Sequence, residues 1–220
     1  MHRVRVKIEG LRDPQTAIKI AELGADAIGL VFAASPRQVT PQQARQIVSA
    51  LPPWVSSVGV FVNADAATIN EIVRQTNIGY VQLHGDEGPE MVAQIRGARC
   101  IKAFPMRDEG WLHEVKRWLE QVEDRPALSA ILLDAYDPAA RGGTGKQFNW
   151  QWIADARAAG QMDNIGPIIL AGGLNPDCVA DAIAVANPWA VDVASGVESA
   201  PGVKDLDKVR NFIARASAPR

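Results

Sequence analysis

The chain has 220 residues, 47% of them apolar and 22% charged, with a formal net charge of −2. That suits one domain with a substantial core, and charges spread without blocks argue against a nucleic-acid groove or a polybasic membrane surface. No apolar stretch approaches the roughly 20 residues of a membrane helix, and the two cysteines, Cys100 and Cys178, have neither disulfide-framework nor metal-ligand spacing.

The first residues lead straight into a strand pattern rather than a signal peptide, so a cytoplasmic protein is expected. Strand-like apolar runs then alternate with amphipathic stretches. A strand over residues 4–8 precedes a helix over 14–23, a strand over 27–32 a helix over 41–51, and a strand over 57–62 a helix over 66–76. The pattern continues with strands 80–83, 100–104, 130–133, 167–170 and 190–193. Their helices are 89–96, 111–122, 150–159, 176–185 and 204–214. Asp13-Pro14, Thr40-Pro41 and Asn175-Pro176 each place a capping side chain before a proline at the first helical position.

Eight strand–helix units in 220 residues, about 27 residues each, predict one closed (β/α)8 barrel over residues 1–220. The competing open doubly wound sheet usually carries Gly-x-Gly-x-x-Gly after its first strand. Here that strand ends Lys7-Ile8-Glu9-Gly10.

Strand alternation sends successive side chains to opposite faces. Val4, Val6 and Ile8 suit the helical ring, which turns Arg5, Lys7 and Glu9 into the barrel. Gln82 and His84 face inward on the fourth strand, Asp134 on the sixth and Asp192 on the eighth; on the fifth, Lys102 and Phe104 are expected inside. Buried charges must offset one another or a ligand, so charges meeting at the C-terminal rim point to a site. The last two strands end in Ala171-Gly172-Gly173 and Ala194-Ser195-Gly196, small residues suited to the phosphate cradle of such barrels. The segment 136–146, with Arg141, Gly142, Gly143 and Gly145, reads as a lid. Its Gly-Gly-Thr-Gly-Lys lacks the P-loop spacing, which excludes ATP binding by that motif.

With these residues in place, the chain resembles phosphoribosylanthranilate isomerase of tryptophan biosynthesis. The matching segments are Glu22-Leu-Gly-Ala-Asp-Ala-Ile-Gly29, Ser35-Pro-Arg37, Val58-Gly-Val-Phe-Val-Asn63 and Gln82-Leu-His-Gly-Asp86. They continue with Leu132-Leu-Asp-Ala135, Gly142-Gly-Thr-Gly-Lys146, Leu170-Ala-Gly-Gly-Leu-Asn-Pro176 and Val191-Asp-Val-Ala-Ser-Gly-Val-Glu-Ser-Ala-Pro-Gly202. The resemblance implies a TIM barrel of the ribulose-phosphate-binding type and an Amadori rearrangement without cofactor or metal. It gives Asp134 the role of general acid and Arg37 that of binding the anthranilate carboxylate. Gly172, Gly173, Ser195 and Gly196 would hold the phosphate, with Lys7, His84 and Asp192 also meeting substrate. The expected partner is a phosphorylated small molecule, not nucleic acid or membrane, and the assembly a monomer or homodimer. Two positions depart from the family: Ala194 where serine is common, and Glu9 where the general-base cysteine stands. Three readings of Glu9 follow: it serves as the base, it marks an impaired or engineered homologue that binds phosphorylated ligands, or it marks an isomerase of a related aminoaldose phosphate.

Overall fold

A computed structural model describes residues 3–135 and 147–218. Eight parallel strands close on themselves in chain order: β1 (Arg5–Glu9), β2 (Ala27–Val31), β3 (Ser56–Phe61), β4 (Tyr80–Leu83), β5 (Arg99–Met106), β6 (Leu128–Ala135), β7 (Ile168–Leu170) and β8 (Ala190–Val193), with β8 pairing back onto β1. The helices are α1 (Pro14–Glu22), α2 (Pro41–Ala50), α3 (Ala66–Thr76), α4 (Glu90–Gln94), α5 (Trp111–Glu120), α6 (Gln151–Ala158), α7 (Val179–Ala186) and α8 (Leu206–Ala216). None of the described helices is long and apolar enough to cross a membrane. The expected lid, 136–146, lies outside the described residues.

Local chemistry accounts for the helix starts. Asp13 Oδ1 accepts the Thr16 amide ahead of Pro14, and Thr40 forms a reciprocal capping box with Gln43 ahead of Pro41. The third expected start is displaced: α7 begins at Val179, not Pro176. Asn175 Oδ1 instead accepts the amides of Asp177 and Cys178, which makes 176–178 a turn before the helix. A small antiparallel hairpin of β9 (Glu198–Ala200) and β10 (Val203–Lys204) between β8 and α8 has no counterpart in the sequence reading.

Two apolar layers result. Val58, Ile101, Ala103, Ala130, Leu132, Ile169, Ala171 and Ala190 fill the barrel, while Val6, Ile8, Leu30, Val81, Leu83 and Val191 join the layer between strands and helices. The alternation expected for β1, β4, β6 and β8 therefore holds. On β5 it is inverted. Register pairs Gln82 with Ile101 and Leu83 with Lys102, so Ile101 and Ala103 fill the barrel and Lys102 leaves it. Phe104 packs edge-on to Trp118 at 5.6 Å, on the helical side. Arg5 shares the interior register of Ala190, but its guanidinium stacks 4.5 Å over Trp189, at the end of the barrel opposite the strand C-termini.

Lys102 is buried and bonds Glu87 Oε2 at 2.8 Å and the Gly85 carbonyl at 2.7 Å. Glu87 in turn accepts the amides of Asn63 and Gly85. Its removal leaves a buried ammonium and two amides without their acceptor. Glu87→Ala is expected to cost about 3–5 kcal/mol of stability, measured by urea unfolding.

Candidate active site

The polar centre of the barrel is built on Lys7, which is 3% exposed. Its ammonium reaches Glu9 Oε2 at 2.6 Å, Asp192 Oδ2 at 2.7 Å and Gln82 Oε1 at 3.0 Å, one acceptor for each of its three hydrogens. Parallel register sets this up, because Lys7 of β1 lies level with Asp192 of β8 on the same face. From Gln82 the hydrogen bonds continue outward. Its Nε2 lies 3.3 Å from Glu9 Oε2 and 2.8 Å from His84 Nδ1, and His84 Nε2 lies 3.0 Å from Asp134 Oδ2. Asp134 Oδ1 accepts the Ala135 amide at 2.9 Å.

A cavity of about 520 Å³ opens above this network at the strand C-termini. Glu9, His84, Asp134 and Asp192 all reach it, along with Arg37, and Val31, Ala33, Val60 and Val62 supply apolar wall. Gly172, Gly173 and Ser195 line it as well. Gly172 has φ +83°, and a Cβ there would lie 2.3 Å from the Ala135 amide nitrogen, so only glycine lets the loop after β7 pass this close to β6. A Cβ on Gly196 would meet the Leu174 carbonyl at 1.9 Å; that glycine packs the loop after β8 against the loop after β7.

Charge is shared unequally. Burial lowers the Lys7 pKa, but Asp192 and Glu9 outweigh it and the ammonium is kept. Burial raises the Glu9 carboxyl; Lys7 above all reverses this and brings it down to about 2. One ammonium cannot neutralise two buried carboxylates, and the excess falls on Asp192. Its Oδ1 is buried with no hydrogen-bond partner among the described residues, and burial, opposed by Lys7 and reinforced by Glu9, pushes it up to about 7. His84 is lowered by burial and raised by Asp134 and Glu9, with a net rise.

Comparison with known proteins places this arrangement. A family model described as N-(5'-phosphoribosyl)anthranilate (PRA) isomerase matches residues 6–215. The chain belongs to the phosphoribosylanthranilate isomerase family. Its relative of that name from Geobacter metallireducens is 49% identical over 216 residues, 98% of this chain and all of the other. That from Trichlorobacter lovleyi is 46% identical over 214 residues, covering 97% and 98%. Among solved structures, phosphoribosyl anthranilate isomerase from Thermotoga maritima matches with a TM-score of 0.85 and 40% identity, covering 97% and 98%. Another, in complex with reduced 1-(o-carboxyphenylamino)-1-deoxyribulose 5-phosphate, matches with 0.81 and 38%, at the same coverage.

Of the residues marked by resemblance to this isomerase family, Glu9, Arg37, His84, Asp134, Gly172, Gly173, Asp192 and Ser195 meet at one cavity. Lys7 lies beneath its floor with every hydrogen engaged, and Gly196 lies behind its wall. Lys102 faces Glu87 outside the barrel and takes no part. Arg37 holds Glu198 through Nε and Nη2, both at 2.8 Å, and Lys204 bonds the same carboxylate at 2.7 Å. Glu198 and Lys204 escaped the sequence reading, since no local pattern links Arg37 to a hairpin 161 residues away. Gln82 was legible as an inward residue but not as the link between Glu9 and His84. Neither cysteine lines the cavity: Cys100 packs in the outer layer, where burial, and then Asp124, push its thiol up to about 12, and Cys178 sits at the start of α7.

The raised Asp192 value makes a test of the charge assignment. Folded protein keeps a proton that the unfolded chain releases near pH 3.8, so the contribution of this group to stability is full below that value and is lost as pH rises towards about 7. The unfolding free energy of wild type relative to Asp192→Asn is expected to fall across this window, by at most about 1.4 kcal/mol per pH unit. Urea titrations at several pH values measure it.

Proposed function

We propose that this isomerase carries out the Amadori rearrangement of N-(5-phosphoribosyl)anthranilate at the described cavity, with Asp134 as general acid and Glu9 as general base. Asp134 gives a proton to the furanose ring oxygen as the C1–O bond breaks and an iminium forms. Glu9 then takes the proton from sugar C2, and the resulting enolamine becomes the aminoketose. The observation that carries this reading is that Glu9 and Asp134 open onto the same cavity as Gly172, Gly173 and Ser195. At a pKa of about 2 Glu9 is a carboxylate throughout the neutral range, ready to accept a proton. The Lys7 pin that ensures this also lowers its basicity, so the rate depends on how closely C2 is held to the carboxylate.

The phosphate fits the small residues after β7 and β8, and the aromatic ring fits the wall of Val31, Ala33, Val60 and Val62. The guanidinium of Arg37 suits the anthranilate carboxylate; two of its nitrogens already hold Glu198, so a ligand carboxylate shares Arg37 with that residue or displaces it. Lys7 then acts from below, on Glu9 and Asp192, rather than on the substrate. The proposal needs no cofactor or metal and takes a phosphorylated small molecule as its partner in a cytoplasmic setting. It allows a monomer or a homodimer; a Thermotoga maritima relative is described as dimeric and also as monomers generated from it.

Loss of substrate fluorescence measures turnover. Wild type is expected to be active, and Glu9→Ala to lose at least about 10²-fold in kcat. If wild type and Glu9→Ala are equally inert while Glu9→Cys turns over, the chain is a ligand-binding barrel whose base has been lost.

A further inference from the structure

The orientation of the Gln82 amide is set from below. A lysine ammonium donates only, so the atom 3.0 Å from Lys7 Nζ must be the carbonyl oxygen. The amide nitrogen then faces Glu9 Oε2 and His84 Nδ1. A flipped amide would set its NH2 against the ammonium and its oxygen against a carboxylate, two unfavourable contacts in place of two favourable ones. Gln82 is fully buried, so no solvent relieves either contact.

This polarity passes to the imidazole. An N–H of Gln82 points at His84 Nδ1, which must therefore offer a lone pair, and the ring hydrogen stays on Nε2, facing Asp134 Oδ2 at 3.0 Å. Asp134 and Glu9 pull His84 towards imidazolium, but an imidazolium would carry a hydrogen on Nδ1 and meet the Gln82 NH2 donor against donor. We propose that Gln82 is a positioning residue for the reaction: held by Lys7, it keeps His84 as the neutral Nε2–H tautomer, and His84 in that form orients Asp134. The purpose rests on the role given to Asp134 above. An imidazolium 3.0 Å away would favour the carboxylate of Asp134 and strip it beforehand of the proton it has to give, whereas a neutral ring fixes the same geometry without adding that charge.

The experiment is ¹⁵N NMR of the imidazole nitrogens, in a chain with three histidines, with His84 assigned by its loss in His84→Gln. In wild type at neutral pH, Nδ1 of His84 is expected as a bare nitrogen and Nε2 as N–H. Gln82→Glu keeps the shape and the acceptor for Lys7 but offers an oxygen to Nδ1, and is expected to convert His84 to the doubly protonated ring. Gln82→Met, which offers neither, is expected to raise the His84 titration midpoint by about one pH unit and to lower kcat more than it changes KM. An imidazolium, or a hydrogen on Nδ1, in wild type at neutral pH overturns the inference, and that spectrum decides even if a variant fails to fold. So does a His84 spectrum unchanged in both variants. The two readings fail separately: turnover tests the isomerase assignment, and the wild-type nitrogen spectrum tests the tautomer whether or not substrate is consumed.

Discussion

Lys7 sits between Glu9, Gln82 and Asp192, and three hydrogens meeting three acceptors leave its ammonium no freedom to do anything else. The charge state of the whole mouth follows from that contact. Glu9 is held ionised, Asp192 is left as the carboxylate that burial can protonate, and the Gln82 amide has one orientation. Remove the ammonium and two carboxylates share a low-dielectric space with no counter-charge, which a barrel interior does not tolerate. The site is thus a local solution to a burial problem before it is a catalyst.

The barrel makes such a centre possible by separating its layers. Side chains at the same level on neighbouring strands point the same way, so residues far apart in the chain, at positions 7, 82 and 192, converge on one level. Apolar residues such as Leu132 and Ile169 close the space around and below them. The side chains that line the cavity stand at strand ends or in the loops just beyond, where the packed interior gives way to it.

Much of this was readable from the chain. β4, β8 and α3 have the boundaries expected of them, and inward alternation put Lys7, Glu9, Gln82, His84, Asp134 and Asp192 on one side of the wall. β1 and β4 carry apolar residues on one phase and polar residues on the other, so only one phase can face the helices. β5 carries apolar residues on both phases, and its single lysine is long enough to satisfy its charge from either side. There the register with β4 decides, and register is a property of the pair, not of the strand. Glu198 was hidden for a different reason: its pairing with Arg37 depends on a short hairpin whose strands have three and two residues. Asn175-Pro176 misled because the asparagine closes a local turn as readily as it caps a helix.

The outward path of Lys102 reaches the mouth after all, by way of the backbone. Through Glu87 it fastens the segment that follows β4, and that segment begins with His84; the same carboxylate also takes the amide of Asn63 from the end of β3. Two rim loops are therefore buttressed from behind by an ion pair that no substrate can touch. Drift at position 87 or 102 would reach the chemistry as a loss of alignment, and selection on the reaction extends to residues with no share in it.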